Sequence, residues 1–184
     1  KEFPIVFVKA GQEADGTEAI APIAVLGMLA NDNLFLQAGQ WRAQYMPAVL
    51  RMYPFCIGRI DEERFAICLD MSFSGAGEAE GQPVFQDDGQ PTELLTTMQK
   101  QLETLEGEIQ RTRHVCKRLM ELGLLVEMRF DVKLPDGRQH TVDGFLTVDD
   151  QKVTELPDNV VGELHRNGIL GLIHLHDLWK TEAL

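Results

Sequence analysis

The stretch "GLIHLHDLW", Gly171 to Trp179, sets His174 and His176 two residues apart with Asp177 beside them. Imidazole nitrogens bind zinc and similar metals, and a carboxylate completes many such sites. On a strand, residues two apart share one face, so both rings would stand with Leu172 and Leu178 and begin a metal site. On a helix they point in nearly opposite directions and cannot share an ion. The Asn167-Gly168 stop just upstream leaves little room for a further helix and favours the strand. Completing ligands are scarce, because His114 and His165 fall on expected helices and His140 near the tip of an expected hairpin. Half-buried histidines bonded to backbone are the plainer reading of the pair.

Three cysteines are present, Cys56, Cys68 and Cys116. An odd, sparse set fits a reducing compartment. No Cys-x-x-Cys occurs, so thiol-redox and zinc-ribbon chemistry lack a motif. Gly-x-Ser-x-Gly, His-Glu-x-x-His and the phosphate-binding loop are missing as well. The glycines of "SFSGAGEAEGQPVFQDDGQP" evoke a phosphate loop, but no lysine follows, and Glu78 and Glu80 repel phosphate. That segment reads as a mobile surface loop. Cys68, two residues before Asp70, is a core thiol more readily than a nucleophile. The acid pairs Asp87-Asp88 and Asp149-Asp150 suit turns or helix starts, where carboxylates face exposed backbone N–H groups.

One cluster has the composition of a recognition surface. "GQWRAQYMPAVLRMYPF" gathers Trp41, Tyr45, Tyr53 and Phe55 with Arg42 and Arg51. Aromatic rings with arginine make strong binding anchors. Rings also make good core, so pocket and core both stay open.

The elements that position these residues come from length and pattern. A chain of 184 residues reads as one domain, 1–184, able to fold without disulfides or metal. Its formal charge of −12 disfavours nucleic acid and anionic membrane surfaces. Its longest apolar run, Ala19 to Ala30, is broken by Pro22 and Gly27, which argues against membrane insertion.

Residues 3–9, β-branched and aromatic, read as a strand and residues 17–28 as a second, apolar strand, with Pro22 suggesting an edge or a bulge. A short "LFL" strand follows, then one or two helical turns from Pro47, stopped at Pro54. "FCIGRIDEERFAICLDM" is a hairpin of ambiguous register. A two-residue loop puts Cys56 on one face with Ile60, Phe65, Ile67 and Leu69, whereas a three-residue loop sets Cys56 opposite Cys68 and makes a bridge feasible. Residues 92–122 form a long helix between a Thr92 cap and a Gly123 stop. Its heptad seam runs from Leu95 through Leu102, Cys116 and Leu119. Either it lies across the sheet or it forms a homodimer or helical hairpin. A second hairpin turns at Pro135-Asp136-Gly137, with Phe130 facing Val142, Val126 facing Leu146 and Arg129 facing Asp143. Two short helices, from Asp149 and from Pro157, precede the tail.

The stretches "NLFLQAGQWRAQYMPAVLRMYPFCIGR", "PVFQDDGQPTELL" and "LHRNGILGLIHLHDLW" resemble the bacterial, surface-layer-associated SapC family. The likeness runs over most of the chain, and family members tend to be longer at the front, so the chain looks trimmed there. Relatives tend to carry Leu and Ser after the final His where this chain has Asp177 and Leu178, so no role for that serine carries over. The resemblance implies a bacterial accessory to surface-layer or outer-membrane receptor systems, and it carries over no catalytic residue.

The expected fold is α+β. It has a mostly antiparallel sheet of about six strands, one long helix packed across it and short C-terminal helices. The expected function is non-enzymatic binding or assembly with a protein partner through Trp41, Arg42, Tyr45, Arg51, Tyr53 and Phe55, without a cofactor. The alternative is an enzyme or metal-dependent accessory protein centred on His174 and His176. Free thiols favour the cytoplasm, and the resemblance points to the cell surface.

Overall fold

The computed structural model describes residues 3–13, 16–27, 29, 32–61, 64–77, 80–133, 137 and 139–182, with backbone alone for 132, 133, 140 and 177–182. In chain order the elements are β1 (Ile5–Gln12), β2 (Glu18–Ala24), β3 (Leu36–Gln37), β4 (Gln40–Trp41), α1 (Ala48–Arg51), β5 (Phe55–Arg59) and β6 (Phe65–Leu69). Then come α2 (Glu93–Glu121), β7 (Leu125–Lys133), β8 (Gln139–Val148), α3 (Asp150–Thr154), α4 (Asp158–Arg166) and α5 (Ile169–Glu182). They fall into two compact units, Lys1–Gln44 with Thr112–Leu184, and Tyr45–Arg111.

The fold is α+β and the strands are antiparallel, but the sheet is smaller than expected. Four strands join in the order β2-β1-β8-β7, while β3-β4 and β5-β6 are separate two-stranded ribbons. The expected sheet of about six strands is thus four, and the β5–β6 hairpin pairs only with itself.

In the first unit, β1 and β2 pair with Phe7 opposite Pro22. The Val25 N–H donates to the Pro4 carbonyl, which makes that pair a hydrogen-bonded one. Counting along the ladder, Pro22 then sits at a position whose backbone nitrogen faces the open side of the edge strand. A proline there removes no ladder bond.

The second hairpin keeps its expected register near the turn, with Phe130 opposite Val142, and loses it farther on. Met128 pairs with Phe145, so Asp143 and Gly144 together oppose Arg129 alone. Gly144 has φ of 80°, the left-handed conformation that a glycine bulge uses. The expected pairs Val126 with Leu146 and Arg129 with Asp143 are therefore replaced. Val126 faces Thr147, and Arg129 bonds Asp131 on its own strand at 2.9 Å. Of the expected turn, Pro135 and Asp136 lie outside the described residues, and Gly137 is left-handed as expected, with φ of 86°.

The end of α2 closes in a Schellman motif. The Leu124 N–H reaches Leu119 O and the Gly123 N–H reaches Met120 O, with Gly123 at φ of 65°. At the start of α2, Thr92 Oγ1 accepts the Leu95 N–H at 3.4 Å. Cys116 and Leu119 of α2 enter one buried cluster with Phe7, Leu146, Val148, Leu164, Ile169 and Ile173. The tail is not a strand: α5 begins directly after Gly168, whose φ of 75° turns the chain from one helix into the next. Ile169, Ile173 and His176, spaced by four and three, supply its buried stripe.

In the second unit, β5 and β6 take the register with Cys56 opposite Cys68 and a loop closed by Ile60 and Arg64. Within that loop, Glu62 and Glu63 lie outside the described residues. Alternation puts Phe55, Ile57 and Arg59 on one face with Phe65, Ile67 and Leu69. Arg59 on this face bonds Glu106 of α2 at 2.9 Å. Met52 and Leu102 are buried in this unit. Pro47 is the N-cap of α1, one position earlier than expected.

Candidate functional site

The aromatic segment divides at the boundary between the units. Trp41 and Arg42 belong to the first. The Trp41 ring is half-buried and stands 6.0 Å from Phe3 and 6.1 Å from Phe35, centroid to centroid. Phe3 and Phe35 meet edge-on at 4.7 Å. Trp41 thus has a packing role in an aromatic trio, while Arg42 has an exposed side chain and a backbone N–H bonded to Phe35 O at 2.8 Å.

Tyr45, Arg51, Tyr53 and Phe55 belong to the second unit. The short α1 helix carries Arg51 in its last turn and places the guanidinium 5.7 Å above the Tyr45 ring. Tyr53 packs edge-on against Phe73 at 5.5 Å. Beside them, Asp70 accepts the Ser72 hydroxyl at 2.7 Å and the Ser72 N–H at 2.9 Å. These two bonds, the hydroxyl first, hold the Asp70 carboxyl below its ordinary range, and the Tyr53 hydroxyl donates as well.

Phe55 borders a cavity of about 320 Å³. Phe65, Ile67, Cys68 and Leu69 of β6 line it with Phe85, Leu95 and Gln99. The alternation of β6 would have found three of these residues from sequence once the hairpin register was known. Phe85 and Gln99 come from a loop and a helix whose approach no local pattern encodes. A concave, mainly apolar surface suits an apolar group.

All three thiols are free. Cys56 and Cys68 are exposed and Cys116 is buried. Burial pushes the Cys116 thiol up to about 11.

The two tail histidines are not brought together. His174 is exposed on α5, and His176, two positions on, is buried. His176 Nε2 lies 2.9 Å from Thr147 Oγ1 and accepts the Val148 N–H at 3.4 Å. Its ring packs 5.3 Å from Phe7. Its Nε2 is engaged by the sheet. Among the described residues, no three His, Cys, Asp or Glu side chains are grouped to hold a metal ion.

No helix among the described residues is long and apolar enough to cross a membrane. None of the curated proteins and none of the solved structures matches the chain. The profile of one family does match, over residues 1–178, and by that match the chain belongs to the SapC family.

Proposed function

We propose that the protein is a non-enzymatic binding or assembly protein of the SapC type, accessory to surface-layer or outer-membrane receptor systems. It grips a protein partner through the surface formed by Tyr45, Arg51, Tyr53 and Phe55. The observation that carries this reading is exposure: Tyr45 and Tyr53 leave 53% and 51% of their area open, with Arg51 set over one ring. Stiff rings beside an arginine lose little side-chain entropy on binding and cover much area. The cavity beside Phe55 offers a socket for an apolar side chain of the partner. Trp41 belongs to the other unit, where it packs with Phe3 and Phe35, and is not counted in this surface. Leu102, Cys116 and Leu119 of the 92–122 seam are each 2% exposed. The seam is thus largely used inside the chain, which favours a partner surface elsewhere.

The test is capture from a native-host extract on immobilised protein, with bound species identified by mass spectrometry. The triple variant Tyr45→Ala, Arg51→Ala, Tyr53→Ala is run beside the wild type, and circular dichroism checks the fold. Loss of one defined protein from the variant, with an unchanged spectrum, supports the reading. Equal capture by both, or an unfolded variant, removes it.

A further inference from the structure

Cys56 and Cys68 stand directly opposite each other on β5 and β6, and both thiols are free and exposed. The Ile60 N–H donates to Arg64 O and the Asp70 N–H to Pro54 O. Counting between these bonds makes Cys56 and Cys68 a hydrogen-bonded pair. Opposed Cα atoms of that kind lie about 5.5 Å apart, within the roughly 4.4–6.8 Å that a disulfide spans.

The Cys68 thiol leans across Gly58. A Cβ built on that glycine would stand 2.7 Å from Cys68 Sγ. Positions two apart on a strand are separated by roughly 6.8 Å, so this rotamer holds the sulfur away from Cys56. Gly58, by lacking a side chain, provides the seat. Rotation about one torsion turns the sulfur toward Cys56 without moving the backbone. Cys116 does not compete, because it is buried in the other unit.

We propose that Cys56 and Cys68 form a reversible thiol–disulfide pair, closed by exchange with a low-molecular-weight disulfide of the glutathione type. One cysteine thiolate attacks the incoming disulfide, forms a mixed disulfide and releases the first small thiol. The second cysteine thiolate then attacks the protein sulfur of the mixed disulfide and releases the second small thiol. Two electrons pass from the cysteine pair to the incoming disulfide, and the two cysteine protons end on the released thiols. An exposed bridge of this kind is reopened readily by excess thiol. When closed, it pins β5 to β6 beside the cavity that Cys68 lines together with Phe55, Ile67 and Leu69.

The experiment incubates the intact chain with excess oxidised glutathione, alkylates what remains free, and maps peptides by mass spectrometry. The expected product has lost two hydrogens, carries no glutathione, links the Cys56 and Cys68 peptides, and reverts in dithiothreitol. Cys116→Ser leaves this result unchanged, and Cys68→Ser stops at a glutathione adduct on Cys56. Gly58→Ala fills the thiol seat and closes faster than the wild type. Stable separate adducts on Cys56 and Cys68, or disulfide-linked pairs of chains, would overturn the proposal.

Discussion

His176 Nε2 lies 2.9 Å from Thr147 Oγ1, so one buried imidazole fastens the last helix to a strand of the sheet. Because the Val148 N–H also donates to Nε2, this nitrogen is the unprotonated one and the Thr147 hydroxyl donates to it. Thr147→Val keeps the shape and removes one donor, and it is expected to cost about 1 kcal/mol. His176→Ala removes the ring that Thr147 and Val148 meet and opens a void in the core, so it is expected to cost about 2–4 kcal/mol. Denaturant unfolding of the two variants checks the order. Equal losses would remove the imidazole from its role as an acceptor for the strand.

The thiols give a second expectation. Burial raises Cys116 from its ordinary 9.0 to about 11, so the folded state keeps a proton that the unfolded chain releases. The stabilising contribution is complete below pH of about 9 and declines as pH rises toward 11. In the native, reduced protein, an alkylating maleimide is expected to label Cys56 and Cys68 quickly and Cys116 only on unfolding. Rapid labelling of all three in folded protein would contradict the buried position.

Asp70 responds in the opposite direction. Its carboxyl is held below the ordinary 3.8, chiefly by the Ser72 hydroxyl. The order that it gives the Asp70–Ser72 turn is present above that ordinary value and lost as pH falls through the depressed one. Ser72→Ala is expected to move the Asp70 titration, followed by carboxyl carbon NMR, upward toward the usual range. An unmoved titration would show that the hydroxyl bond does not hold the charge.

Gly144→Ala isolates the bulge. A Cβ there meets nothing within 4 Å, so the penalty is the left-handed backbone alone. Thermal unfolding is expected to show a loss of about 1–2 kcal/mol. A neutral result would mean that the strand can repair its register without the bulge.

What the sequence revealed follows from how local each signal is. The long helix was legible because its apolar spacing, its Thr92 cap and its Gly123 stop agree within one segment. The hairpin around Gly137 was legible near its turn and misread beyond it, because a bulge costs one residue and leaves only Gly144 as a trace. The tail was misread because Asn167-Gly168 ends one helix in the same way whether a strand or another helix follows. The spacing of Ile169, Ile173 and His176 was the signal for the helix. The aromatic cluster was found by composition, but proximity along the chain did not disclose that Trp41 and Tyr45 belong to different units. Residues such as Phe85 and Gln99 enter the cavity through long-range packing, which no window of sequence contains.

The edges of the four-stranded sheet carry a consequence for how the protein meets copies of itself. At one margin Pro22 has no hydrogen to offer an incoming strand. At the other, β7 presents the exposed charges Glu127, Arg129 and Asp131 and is buckled by the bulge beside it. Neither margin of this sheet is a good template for adding a strand from a further chain.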